Sequence, residues 1–204
     1  MRSSAGSTRS APMAEVVAET DRLRLRNWRH GDREEFVRHL NTPAVMRWLG
    51  GVQDEATYTA AFDRIDGFHR EFGHTFWIVE RKSDGALLGF CGLKRVNAPG
   101  APFAGDFEIG WRFREDAWGQ GFAKEAAIAS LDLAFGRFGA PHVVALTVSG
   151  NRDSQGLMQR LGMTRREDLD FIDTRFANPG ELNPTIVYRI EAEEWPAARA
   201  SALV

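Results

Sequence analysis

The sequence predicts a single mixed α/β domain, and three observations carry that reading. The apolar spacing changes from three-and-four to two near residue 75. Three strand-like segments then follow with short links, two in "TFWIVERKSDGALLGFCGLKRV" (75–96) and one in "FEIGWRF" (107–113). After them, helix-like and strand-like segments alternate to about residue 190. The order is strand, two helices, a three-strand meander, helix, strand, helix, two strands. It lacks the regular alternation of a doubly wound sheet.

The elements follow from local chemistry. "TDRLRLRNW" (20–28) alternates, with Leu23 and Leu25 on one face. Asp32 is placed to cap a helix through about Leu40, which Asn41-Thr42-Pro43 interrupts. "PAVMRWLGG" reads as a short helical turn stopped by glycine, and Tyr58, Phe62, Ile65, Phe68 and Phe72 form one face of a helix over 54–72. Ser83-Asp84-Gly85 marks a hairpin turn. Residues 119–138 carry two apolar rows and predict a deeply buried helix, and "HVVALTV" (142–148) predicts a strand covered on both faces. A short helix over 152–162 and strands near 163–171 and 184–190 complete the chain.

Length and composition set the bounds. The 204 residues are enough for one domain with a sizeable core. A net charge of −2 gives no electrostatic reason to expect nucleic acid, and no apolar run is long enough to suggest a membrane span. One cysteine, Cys91, excludes an intramolecular disulfide and suits a reducing compartment, so the expected location is cytoplasmic. The polar, small residues 1–19 read as a flexible extension, with Met13 an alternative first residue; 20–195 reads as the domain and 196–204 as a C-terminal tail. The five histidines show no paired metal-ligand spacing, so no metal is expected.

The segment "REDAWGQGFAK" (114–124) joins a strand to a helix through two glycines. It lacks the third glycine of a dinucleotide fold and the Gly-Lys-Ser/Thr of a P-loop. It is either a tight turn without a ligand or an anion cradle. The small residues of Trp118-Gly119-Gln120-Gly121-Phe122-Ala123 favour a cradle built on backbone N–H groups, with Lys124 the one fixed cation. About 30 residues later, "NRDSQGLMQRLGM" begins with Asn151 and Ser154, either helix-capping residues or ligand contacts.

Together, "ETDRLRLRNW", "FEIGWRFREDAWGQGFAKEA" and "NRDSQGLMQRLGM", in this order, resemble the GCN5-related N-acetyltransferase (GNAT) superfamily, and within it the ribosomal-protein N-acetyltransferase branch. The resemblance spans about residues 20–191. It implies a mixed, mostly antiparallel sheet of about seven strands with helices on both faces. It also implies transfer of an acetyl group from acetyl-CoA, as co-substrate, directly to a primary amine. A protein N-terminus is the favoured acceptor, a small-molecule amine the other, and a homodimer is compatible with it.

Residue by residue, acetyl-CoA is then expected between "FEIGWRF" and "HVVALTV". Its pyrophosphate would sit on the amides of Gly119, Gln120, Gly121, Phe122, Ala123 and Lys124, beside Trp118. Its pantetheine arm would pair like a strand with Trp111, Arg112 and Phe113, near Asn151 and Ser154. Glu108 matches the proposed base; otherwise it is a solvent-facing strand residue or the partner of an arginine. Met158 stands where many relatives carry a tyrosine acid, so either Ser154 replaces it or the CoA thiolate leaves without an acid. The helical pair at 32–72, the 97–106 loop and the 170–183 segment would wall the acceptor site, where Asp168, Asp170 and Asp173 either attract a cationic amine or form a solvated acidic loop. Cys91 invites an acyl-cysteine reading, but its mid-strand setting favours a core thiol. The alternative to an enzyme is an acyl-CoA-binding or regulatory domain without catalysis.

Overall fold

Alternating side chains and glycine-ended helices generate the fold. A computed structural model describes residues 15–175 and 180–203. The strands are β1 (Val16–Glu19), β2 (Leu23–Arg26), β3 (Phe76–Arg81), β4 (Leu87–Arg95), β5 (Phe107–Phe113), β6 (His142–Val148), β7 (Thr164–Arg165), β8 (Phe171–Ile172) and β9 (Pro184–Glu191). The helices are α1 (Asp32–Leu40), α2 (Glu55–Phe72), α3 (Phe122–Asp132), α4 (Arg152–Arg160) and α5 (Trp195–Ala202). One nine-stranded sheet runs β1-β2-β3-β4-β5-β6-β9-β7, with β8 also on β9. The β5–β6 junction is parallel; the other pairings are antiparallel. The mixed sheet with helices on both faces agrees with the expected fold class.

Alternation in the strands feeds apolar clusters on both faces of the sheet, one of them Val96, Ala98, Val144, Phe171 and Val187. Leu23, Leu25, Trp77, Val79, Cys91, Leu93, Ile109 and Phe113 pack against α3 and α4. Ile78 and Phe90 face the other way and meet Phe36, Leu40 and Tyr58 of α1 and α2. Asp54 caps α2 by accepting from Thr57 N at 2.8 Å, and Gly73 ends it in the left-handed region at φ 71°.

Several boundaries differ from the sequence reading. Val16–Glu19, within the expected extension, is an edge strand on β2; residues 1–14 lie outside the described residues. The expected tail contains α5, whose Trp195 is buried and donates to Asp132 Oδ1 at 2.9 Å. The strand near 163–171 is two short pieces split by a 3-10 turn at Glu167–Leu169. The helix predicted over 119–138 starts at Phe122 and widens into a π-helical turn at Leu133–Arg137. Among the described residues, no helix is long and apolar enough to cross a membrane.

Asp32 does not cap α1 but lies in its first turn. Its two oxygens accept from Arg26 Nη1 and Nη2 at 2.7 and 2.8 Å, while Arg26 Nε reaches Glu80 Oε2 at 2.8 Å. All three residues are buried. This fork ties α1 to β2 and β3, and the burial of the carboxylates makes their cation hard to remove. Arg26→Met is expected to cost about 3–5 kcal/mol, because two buried carboxylates lose their partner. Arg38→Met, which breaks exposed pairs with Glu34 and Glu35, should cost at most about 1 kcal/mol. Urea unfolding of both variants against the parent checks the contrast.

Candidate active site

The central sheet is open where β5 and β6 meet. They pair only at Phe107–Val143 and Glu108–Val144. Beyond that, β5 stays registered on β4 to Phe113, and β6 on β9 to Val148. The strands therefore part into a wedge with backbone donors and acceptors along its limbs. A cavity of about 1400 Å³ runs through this region, from the glycine turn to the α1–α2 side of the sheet.

The glycine turn forms one end. A 3-10 turn at Glu115–Ala117 leads to Gly119 at φ 71° and Gly121 at φ 80°, left-handed values that favour glycine. No side chain caps α3, so the N–H groups of its first turn point outward with the positive end of the helix dipole. A Cβ on Gly119 would meet nothing within 4 Å.

The turn is braced from behind. Glu125 accepts from Thr20 Oγ1, Arg22 N and Arg22 Nε at 2.5, 3.0 and 2.6 Å. Burial pushes its carboxyl up, but these bonds outweigh burial and hold it below the ordinary value. Arg22 Nη1 also donates to the Gln120 carbonyl at 3.0 Å, and its guanidinium lies 4.5 Å from the centre of the Phe122 ring. Gln120 Nε2 donates to the Asp116 carbonyl at 2.6 Å; alone among the expected cradle residues, Gln120 does not line the cavity. Trp118 Nε1 donates to the Phe113 carbonyl at 2.8 Å, pinning the indole at the mouth.

Strand alternation gives β5 two chemical faces. Ile109, Trp111 and Phe113 pack on the α3 side. Glu108, Gly110 and Arg112 face α1 and α2. The expected contact of Arg112 with a cofactor arm therefore falls to its backbone, because its side chain stands beside Phe36 and Phe90. Glu108 is buried, and Lys94 Nζ donates to its Oε2 at 2.5 Å. The partner is this lysine of β4, where the sequence reading named an arginine. A Cβ on Gly110 would stand 2.7 Å from the Phe76 ring, so glycine is required for the aromatic wall to close there.

At the start of α4, Asn151 Oδ1 accepts from Ser154 N at 3.3 Å. Asn151 thus caps the helix, and both residues also line the cavity. Met158 lines it too, with 1% exposure. Asp173 and Arg175 form an ion pair on the cavity wall. Asp168 and Asp170 are instead bound to Arg166 and Arg165 and lie off the cavity, so the expected acidic trio reduces to Asp173. Of the 97–106 loop, Asn97 alone lines the cavity. The sequence reading missed Lys94, and within the 32–72 wall it did not single out Tyr58 and Trp48 as lining residues. Trp48 lies 2.5 Å from where a Cβ on Gly150 would be and bridges the α1–α2 connection to the β6–α4 turn. No local pattern marks Lys94, because β4 is buried without alternation from Leu87 to Leu93; its place opposite Glu108 comes from the β4–β5 register.

Cys91 is fully buried and accepts from Ser130 Oγ at 3.4 Å. Burial pushes its thiol up to about 12, and it does not line the cavity. A thiol held protonated and enclosed cannot serve as a nucleophile. No cluster of three metal-ligating side chains occurs among the described residues.

Comparison with known proteins gives the same outline. The model of the acetyltransferase (GNAT) domain matches residues 22–164. The uncharacterised protein YkkB of Bacillus subtilis is 32% identical over 151 residues, 74% of this chain and 86% of its own. An FsC-acetyl coenzyme A-N(2)-transacetylase of Aspergillus fumigatus is 34% identical over 194 residues, 89% of this chain and 79% of its own. Among solved structures, an acetyltransferase of Agrobacterium tumefaciens matches with a TM-score of 0.70 and 26% identity, covering 85% of this chain and 93% of that one. A spermidine N-acetyltransferase of Vibrio cholerae, solved with CoA and spermine, shares the fold at a TM-score of 0.68 and 16% identity, covering 87% and 99%.

The state of Cys91 is directly measurable. An aromatic disulfide reagent at pH 8 should release less than about a tenth of an equivalent from the native protein within minutes, and a full equivalent once urea unfolds it. Cys91→Ala should keep the parent rate of whatever transfer the cavity performs. Fast native labelling would restore the thiol as a chemical participant.

Proposed function

The chain belongs to the GNAT acetyltransferase family, whose members are acyl-CoA-dependent N-acetyltransferases, and from that premise we propose that its cavity moves an acetyl group from acetyl-CoA to a primary amine bound beside Glu108. One observation carries the reading: a single cavity joins the uncapped glycine turn, the open edge of β5 and a buried carboxylate.

The residues fit this co-substrate. The N–H groups at the start of α3 suit a pyrophosphate, and the open ground beside Gly119 lets it approach. The free edge of β5 at 111–113 suits the amides of the pantetheine arm, with Asn151 and Ser154 across the wedge. Acetyl-CoA supplies a thioester whose C–S bond breaks as the amine nitrogen forms its bond to the acetyl carbon. The amine arrives as an ammonium near neutral pH and must lose a proton. Glu108 takes that proton, directly or through a water; Lys94 occupies Oε2 and fixes the carboxylate's orientation. A backbone N–H of 111–113 meets the charge that develops on the thioester oxygen. Ser154 Oγ is the donor available to the departing sulfur, because Met158 has no proton to give.

The resemblance to the ribosomal-protein branch supports a protein α-amino group as one acceptor to test, beside small-molecule amines. A buried lone thiol agrees with work in a reducing compartment such as the cytoplasm.

Two measurements test the assignment of parts. Gly121→Val should abolish acetyl-CoA binding in calorimetry, since a β-branched residue at φ 80° is strained and the turn must rearrange. Gln120→Ala should bind normally. For the base, Glu108→Gln should leave acetyl-CoA affinity intact and lower turnover about 10²–10⁴-fold. Unchanged turnover at saturating acceptor would pass the role to another group. For the acid, Ser154→Ala should slow turnover more than it weakens binding. Full activity in a stable Ser154→Ala protein would leave Ser154 as a helix-start residue alone.

A further inference from the structure

The acceptor side of the cavity is unusual in its charges. Arg47, Arg64, Arg112 and Arg175 all line it. Its two carboxylates are already engaged, Glu108 by Lys94 and Asp173 by Arg175. Among the described residues, a polycationic amine therefore meets arginines on this wall and carboxylates that are already paired; the cavity's further carboxylate, Asp153, lies at the start of α4.

Arg112 is the most telling of the four. Among the described residues it has no carboxylate within ion-pair distance. Its guanidinium lies 5.3 Å from the centre of the Phe90 ring and 5.8 Å from that of Phe36, next to the Tyr58 hydroxyl. Its Nε is buried with no hydrogen-bond partner, while the residue keeps partial exposure at the cavity wall. Burial pulls this guanidinium below its ordinary value, and Tyr58 opposes the shift. A cation so placed is incompletely satisfied. A planar fork of N–H donors in a low-dielectric pocket is well matched to a carboxylate.

Position along the strand adds the geometry. Glu108, Gly110 and Arg112 succeed one another on one face of β5, so Arg112 stands about 7 Å beyond Gly110. Arg112 is about 13 Å from Glu108 along the strand, so the amine and carboxylate of one amino acid fit between them only with the long arginine side chain closing most of the span and Glu108 reaching the amine through a water. The walls between them are Phe36, Tyr58, Phe76 and Phe90, which suit an apolar side chain.

We propose that Arg112 is a specificity-determining residue that binds the carboxylate of the acceptor, and that the acceptor is a free amino acid, or an amine of that form, with an apolar side chain. This rests on the acetyltransferase reading of the same cavity and narrows it. It ranks a free amino acid above a protein N-terminus, whose first residue carries an amide where the carboxylate would be.

The test separates recognition from turnover. Calorimetry on the full chain saturated with CoA compares N-acetyl-L-phenylalanine and N-acetyl-L-leucine with their carboxamides. The acids should bind at least about 10-fold tighter than the amides. In Arg112→Met that preference should vanish, with the amides unaffected, and Arg112→Lys should retain part of it. Equal binding of acid and amide to the parent, or a preference that survives Arg112→Met, overturns the proposal. Should Arg112→Met fail to fold, the parent's acid-to-amide ratio and Arg112→Lys still decide.

A parallel assay with mass detection offers L-phenylalanine, L-leucine, their carboxamides and a short peptide amide as competing acceptors. Preferred acetylation of the free acids supports the proposal, and preferred acetylation of the peptide overturns it. Acid-selective binding with no acetylation of any amine would instead count against the acetyltransferase assignment and leave the role of Arg112 standing.

Discussion

Two backbone pairings, Phe107 with Val143 and Glu108 with Val144, are the whole ladder that joins the halves of the sheet at its centre. What makes the wedge usable is that neither limb is frayed. β5 is registered on β4 at all seven of its residues, and β6 on β9 at all seven of its own. Each limb is held rigid from outside while its inner edge stays open. Unpaired backbone groups in a sheet interior are costly unless something satisfies them. A ligand with amides of its own can complete the ladder, so the opening is a constraint on what must bind there. The glycine turn then follows by connectivity, because the chain leaving β5 crosses to β6 through α3 and starts that helix at the wedge's mouth.

The same strand divides the work by parity. Its odd residues, Ile109, Trp111 and Phe113, belong to the core under α3. Its even residues, Glu108, Gly110 and Arg112, belong to the other cavity wall. Charge on this strand is tolerated on one face only, and each charged group there has a specific neighbour: Lys94 for Glu108, the aromatic wall and Tyr58 for Arg112. Trp48 roofs the region from the α1–α2 connection, resting on a position that Gly150 keeps bare.

Much of this was legible in the sequence because it depends on local chemistry. The hairpin at Ser83-Asp84-Gly85 formed where turn residues demanded it, and Gly85 adopts φ 73°. The glycines of 119–121 marked a strand-to-helix turn by their spacing alone. Most of what escaped depends on distant partners. Val16–Glu19 has too little pattern to declare a strand, and it becomes one only because β2 offers an edge. Asp32 looked like a cap; the buried Arg26 draws its carboxylate inward instead. The alanine-rich run at 196–202, with Pro196 in its first turn, is a local helical signal that the sequence reading passed over, and α5 is further anchored by Trp195 and Arg199 reaching Asp132. The partner of Glu108 sits fourteen residues earlier in sequence, on a neighbouring strand, where only the β4–β5 register reveals it.

The outer margins of the sheet carry a consequence for the protein's behaviour in a crowded solution. A sheet invites edge-to-edge polymerisation when it ends in a long, flat strand with a full row of unmatched donors and acceptors. Among the described residues, this sheet ends in β1, four residues long with a register shift between Val16 and Ala18, and in β7, two residues long. Neither margin offers a stranger more than a few bonds, and the first is bent out of the plane that an added strand would need. Among the described residues, the extended open edge is internal, along β5 and β6 inside the wedge, and not at a margin of the sheet. The fold thus keeps its long unpaired edge along a cavity, where a bound ligand can pair it, and leaves only short strands at its margins.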